Sequence, residues 1–134
     1  METKKDVVVI ERAGDGRFAC YLKESYPTFS LAGYGESVEE AKEDFWEAYN
    51  ETKELEEAEG RSMPVLDVVY KYDMQSFFDY FNFLNISEVA RRAGINPSLM
   101  RQYSKGITNA GERQYKKLND AMTNITKELS MAVL

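Results

Sequence analysis

Hydrophobic and polar positions divide the chain into two halves with different periods. Val7–Ile10 is a short apolar run, and Arg17–Lys23 alternates, with Phe18, Cys20 and Leu22 on one side and Ala19, Tyr21 and Lys23 on the other. Alternation by two is the signature of a strand with two distinct faces. Between the runs lies Ala13-Gly14-Asp15-Gly16, whose Asp-Gly step predicts a hairpin turn. A third strand is expected over Phe29–Tyr34, closed by Gly33 and Gly35. The period then changes. Ser37-Val38-Glu39-Glu40 reads as a capping box, in which serine and glutamate satisfy backbone donors at a helix start. Val38, Ala41, Phe45, Ala48, Thr52 and Leu55 follow at helical spacing, predicting an amphipathic helix over 38–59 that Gly60 ends. Arg61–Pro64 reads as a linker, and the β-branched and aromatic residues of Val65–Tyr72 as a fourth strand.

The second half is helical throughout. Phe77, Phe81 and Leu84 start a helical pattern, Asn85-Ile86-Ser87-Glu88 repeats the capping-box spacing, and Gly94 stops that helix. Asn96-Pro97 restarts the chain as a cap followed by proline at the first helical position, and Gly106 ends the new helix. A last helix is expected from about Ala110 to Ala132. The predicted fold class is therefore α+β: a β-β-β-α-β domain over 1–73 followed by an all-α domain over 74–134. Trp46 and the tyrosines read as packing residues rather than as a platform for stacked bases.

Charge separates the same two halves. Residues 86–134 hold 8 Lys/Arg against 4 Asp/Glu, a net of +4, and residues 1–85 hold 9 against 19, a net of −10. Such asymmetry points to two parts with different partners. Histidine is absent, which removes the usual component of zinc sites and of nucleophile–imidazole systems. One cysteine, Cys20, excludes an internal disulfide and suits a reducing compartment. No apolar run reaches the ~20 residues that span a bilayer, and METKKDVVVIERAG lacks a signal-type cleavage site. The expectation is a cytoplasmic protein without metal or cofactor.

The positive charge concentrates in NISEVARRAGINPSLMRQYSKG, residues 85–106. Two helices joined by a short glycine-containing turn form a helix-turn-helix. Ala90 is small where the helices cross, Gly94 allows the left-handed turn, and Val89, Ala93, Ile95 and Met100 are placed to share a core. An alanine four residues before the turn glycine, then an apolar residue and a polar cap, resembles the repressor-type helix-turn-helix. In that family the helix after the turn enters the major groove and reads base edges with its first residues. Here that helix is Pro97–Lys105, with Ser98, Leu99, Arg101, Gln102 and Lys105 facing solvent. Arg101 suits a bidentate pair to guanine and Gln102 one to adenine. Asn96 and Ser98 suit a phosphate at the helix N-terminus. Arg91, Arg92, Lys105 and Arg113 read as contacts to the DNA backbone. The competing reading is a helical hairpin with a solvated charged face.

In the last helix Tyr115, Leu118, Met122, Ile125, Leu129 and Ala132 form a heptad-like apolar seam. Part of it would cover the helix-turn-helix core and the rest would join copies, predicting a homodimer or higher homo-oligomer that reads half-sites ~34 Å apart; the competing reading is a purely intramolecular seam.

In the first half, the strand and Asp-Gly turn, then Arg17-Phe18-Ala19-Cys20-Tyr21-Leu22, then Gly33-Tyr34-Gly35-Glu36-Ser37-Val38-Glu39-Glu40-Ala41 opening a helix, resemble the HicB antitoxin family. Where many members carry a Pro-Gly-Cys turn, this chain has Tyr26-Pro27-Thr28-Phe29. The resemblance implies a partly degenerate ribonuclease H-like domain that binds and blocks a small basic RNA-cleaving toxin, HicA, and a C-terminal domain that represses the operon. Glu43, Glu47, Glu51 and Glu54 would then imitate the phosphates that the toxin holds. Complementary charge would orient that association.

Two other functions compete. A two-metal nuclease needs carboxylates clustered around ions ~4 Å apart, but Val7–Ile10 carries none and only Asp6, Glu11 and Asp15 flank it, so no catalysis is expected. The alternative to the antitoxin is a stand-alone regulator whose N-terminal domain senses a small ligand in a pocket lined by Phe18, Tyr21 and Phe45.

Overall fold

A computed structural model describes residues 5–134; residues 1–4, the first part of the segment read for a signal sequence and of the expected first domain, lie outside it. The elements follow in the order β1 (Asp6–Arg12), β2 (Phe18–Leu22), β3 (Ala32–Gly35), α1 (Val38–Ala58), β4 (Val68–Tyr72), α2 (Met74–Tyr80), α3 (Ile86–Ala93), α4 (Pro97–Ser104) and α5 (Glu112–Ser130). They make an α+β chain with one four-stranded mixed sheet. The chain divides into two compact units after Ser76, within α2.

In the first unit the sheet order is β3-β2-β1-β4, with β1 antiparallel to β2, β2 antiparallel to β3, and β1 parallel to β4. The β1–β2 turn closes as its Asp-Gly step requires. Ala13 N–H donates to Arg17 C=O at 2.6 Å, Asp15 Oδ1 accepts from Arg17 N–H, and Gly16 takes φ 85°. One face of the sheet supplies Val8, Ile10, Phe18, Cys20 and Leu22, and α1 covers it with Val38, Ala41 and Phe45. Burial pushes the Cys20 thiol up to about 12, so this lone cysteine is an inert packing residue. Ser37 caps α1 by accepting from Glu40 N–H, while the Glu40 carboxylate reaches back to Glu36 N–H. Lys42 ties α1 to β4: its Nζ lies 4.1 Å from the Tyr70 ring centre and donates to Tyr72 Oη at 2.7 Å. Burial lowers its pKa. Trp46 Nε1 donates to Tyr70 Oη beside it.

Three sequence expectations shift here. The third strand begins at Ala32, not Phe29, because Tyr26 N–H donates to Phe29 C=O and the two rings stack 4.9 Å apart, making 26–29 a turn. The fourth strand begins at Val68 rather than Val65. The buried stripe of α1 ends on Glu56, which is 7% exposed, and Leu55 points outward at 68%. Arg61 Nε donates to Glu56 Oε2 at 2.6 Å and Thr28 Oγ1 donates to the same oxygen at 3.0 Å. Arg61 holds the Glu56 carboxyl below the usual glutamate range.

The second unit takes its core from Val89, Ala90, Ile95, Met100, Tyr103, Leu118 and Ala121, with Ala93 half-buried. Asn85 caps α3 by accepting from Glu88 N–H, but the Glu88 carboxylate pairs with Arg91, so the reciprocal half of the predicted box is diverted. Phe77, Phe78, Phe81 and Phe83 form a chain of ring contacts where α2 gives way to turns. The α5 seam is only partly used. Leu118 is buried and Met122 and Ile125 half-buried, whereas Leu129 is exposed and the helix ends at Ser130, before Ala132.

Candidate nucleic-acid interface

Gly94 ends α3 in the left-handed conformation, φ 72° and ψ 31°, and Ile95 N–H donates back to Ala90 C=O at 2.9 Å. That bond closes the helix end and drops Ile95 into the core. Asn96 then caps α4: its Oδ1 accepts from Ser98 N–H at 2.9 Å and Leu99 N–H at 3.2 Å. Pro97 sits at the first helical position, where its missing N–H costs nothing. Met100 and Tyr103 point inward, three residues apart on one helix face. Helical spacing therefore turns Ser98, Arg101, Gln102 and Lys105 outward, and all four are exposed.

The predicted residues fall into three groups. Arg101 and Gln102 lie side by side on the outer face of α4, with Lys105 one turn on and Leu99 and Pro97 half-buried at its flank. Arg91 and Arg92 are exposed near the end of α3, but each has a carboxylate: Glu88 for Arg91, and Glu128 of α5 for Arg92 at 2.7 Å. Exposed pairs of this kind are worth ~0–1 kcal/mol, so a phosphate can displace them. Asn96 is committed to its own helix. Asn96 and Ser98 were expected to hold a phosphate, but the Ser98 and Leu99 amides already donate to Asn96, which leaves the Ser98 hydroxyl and the helix dipole for an anion.

Sequence reasoning missed two residues. Ser87, in the first turn of α3, accepts a hydrogen bond from Arg101 Nη1 at 2.8 Å, which aims the guanidinium. Lys117 of α5 reaches Gly94 C=O at 3.4 Å and places a further cation beside the turn. Both contacts join positions 14 and 23 residues apart, and no local pattern announces them.

In the other unit Glu43, Glu47, Glu51 and Glu54 are all exposed on α1. They run ~16 Å along the axis at 1.5 Å per residue. The neighbouring acids have structural duties: Asp44 accepts from Tyr34 N–H, Glu40 from Glu36 N–H, and Glu56 from Arg61. The acids flanking Val7–Ile10 are likewise engaged. Asp6 accepts from Tyr26 Oη at 2.7 Å and from Asp67 N–H, Glu11 from Tyr21 Oη, and Asp15 from Arg17 N–H. The Asp6 bond pushes the Tyr26 phenol up to about 12. Among the described residues no group of three acids or cysteines converges to hold a metal ion.

The expected ligand pocket is not formed by the residues named for it. Phe18 and Phe45 are fully packed in the core, and Tyr21 lies on the opposite face of β2. A cleft of about 480 Å³ opens instead beside Lys5, Asp6, Lys23, Tyr26 and Asp67. No helix among the described residues is long and apolar enough to cross a membrane. No protein-family model, curated protein or solved structure matches the chain.

Proposed function

We propose that the chain is an antitoxin of the HicA/HicB type, with a C-terminal helix-turn-helix that reads its own operator and an acidic N-terminal domain that blocks a small basic RNA-cleaving toxin. The observation that carries the DNA half is the outer face of α4. A capped, proline-started helix is pinned by Met100 and Tyr103 so that Arg101 and Gln102 project together. The Arg101 donors match the guanine edge of the major groove, and the Gln102 amide, one donor and one acceptor, matches the adenine edge. Arg91, Arg92, Lys105 and Arg113, all exposed, would supply charge for phosphates. The exposed C-terminal stretch of the α5 seam around Leu129 supports a dimer that places two such helices on successive half-sites.

Binding to the duplex upstream of its own reading frame tests this reading. Arg101→Ala and Gln102→Ala should each weaken operator binding by about ten- to a hundredfold, the value of one bidentate base pair contact, and leave random duplex nearly unchanged. Ser87→Ala should lower the same preference through Arg101. Arg91→Ala and Arg92→Ala should weaken both duplexes alike and reduce the salt slope by about one. Equal losses on all sequences from the α4 pair would leave only a charged surface.

The toxin half rests on the separation of duties among the acids. Glu43, Glu47, Glu51 and Glu54 share one exposed face of α1, whereas Glu40, Asp44 and Glu56 accept hydrogen bonds within the fold. A short basic reading frame beside this gene is the expected source of the partner. Its product, coexpressed with the full chain, should copurify and be released when these four glutamates are changed to lysine. Retention by the fourfold variant would move the partner surface off α1.

A further inference from the structure

The sheet has two edges, and the chain treats them differently. At β3 the backbone is closed. The Leu22 N–H to Leu31 C=O bond sets the alternation, so Gly33 and Gly35 face β2 and Tyr34 faces outward. The outward Tyr34 N–H is taken by the Asp44 carboxylate at 2.8 Å. At β4 nothing comparable occurs. Asp6 N–H donates to Asp67 C=O and Asp73 N–H to Ile10 C=O, so the odd-numbered residues face β1. The backbone N–H and C=O of Val68 and Tyr70 then point away from the sheet, and no described residue bonds to them. β4 has no proline or bulge to turn a newcomer away.

We infer that this edge is a self-pairing surface: two copies of the chain join antiparallel through β4, about a two-fold axis at Val69. The register follows from backbone and charge together. Outward residues must oppose outward residues, so the pairing is centred on Val68, Val69 or Tyr70. Centring on Tyr70 sets Asp67 against Asp73 of the other copy, and centring on Val68 sets Lys71 against Val65. Only the Val69 centre sets Lys71 of each copy against Asp67 of the other, two opposite-charge pairs on one face. It also brings the two Val69 side chains together, each 43% exposed in the single chain. Val68 of one copy and Tyr70 of the other exchange their free N–H and C=O groups. An axis normal to the sheet makes one eight-stranded sheet with both α1 helices on the same side. This pairing does not depend on what α4 or the acidic face binds.

Oxidative cross-linking of the full chain tests the register. Cys20 is fully buried, so the unaltered chain is the silent control. Val69→Cys should form a covalent dimer readily, because opposed residues at such positions have Cα atoms ~4.5 Å apart, within disulfide reach. The double variant D67C/K71C should do the same through the flanking pairs. Lys71→Glu in the Val69→Cys chain should slow cross-linking about tenfold, while Lys53→Glu, the same charge change on α1, should not. Cross-linking of V69C and D67C/K71C no faster than at a control position such as Glu54→Cys, or a rate indifferent to Lys71→Glu, overturns the pairing. Lys71 would then be a charge that keeps the edge single.

Discussion

Gly33→Ala is expected to destabilise the N-terminal unit by about 3 kcal/mol, the upper range for forcing a methyl into a packed interior. A Cβ at Gly33 would lie 2.2 Å from Phe45 N, 2.6 Å from Ala41 O and 2.7 Å from Phe45 Cα. All three are backbone atoms of α1, so no side-chain rotation can make room. The helix would have to lift away from β3, and its inner face, Val38, Ala41 and Phe45, would leave the core with it. Gly35 repeats the condition one strand period later, 2.5 Å from Glu40 Cβ and 2.6 Å from Ala41 N. The hairpin residue Gly14 has nothing within 4 Å, so Gly14→Ala should change stability by less than ~0.5 kcal/mol. Urea unfolding followed by fluorescence of Trp46, the single tryptophan, reports this unit directly because its indole packs edge-on against Phe45 and donates to Tyr70 Oη. A Gly33→Ala loss as small as that of Gly14→Ala would mean that α1 does not sit on β3 as described.

The two glycines show how much of the fold was legible in the sequence. Gly33-Tyr34-Gly35 reads as punctuation closing a strand, and the strand does end there. The reason lies in the third dimension, since the glycines admit a helix backbone that begins three residues later. Local signals of one turn or less were readable: the Asp-Gly hairpin, the Ser37 cap, the Gly94 stop and the Asn96-Pro97 start all form. Signals that depend on a distant segment were not. Helical spacing accommodates Leu55 or Glu56 at the end of the α1 stripe, and hydrophobicity favours Leu55. Thr28 and Arg61 decide for Glu56 by supplying its hydrogen-bond donors. The same division runs through the candidate interface. The outward set of α4 follows from its own sequence, whereas the Ser87 bond to Arg101, the Glu128 pair of Arg92 and the approach of Lys117 to Gly94 come from tertiary packing.

Met100→Ala carries the second large effect, and it separates holding α4 from reading with it. Met100 is wholly buried among the core residues of the C-terminal unit, and truncation there should cost about 3 kcal/mol through lost burial and the cavity left behind. Met100→Leu conserves volume and should cost less than ~1.5 kcal/mol. Hydrogen exchange over residues 97–105 measures this where it matters. A loss of that size should raise the exchange of the α4 amides about a hundredfold, since each 1.4 kcal/mol is a factor of ten. On the proposed function the alanine variant should bind every duplex less well without altering the ratio of operator to random DNA, because the outer face of α4 keeps its side chains. Arg101→Ala should do the reverse, changing the ratio while leaving α4 protected from exchange. If Met100→Ala were to change the ratio as Arg101→Ala does, the preference would arise from the angle at which α4 is held, and the side chains on its outer face would be contacts of convenience.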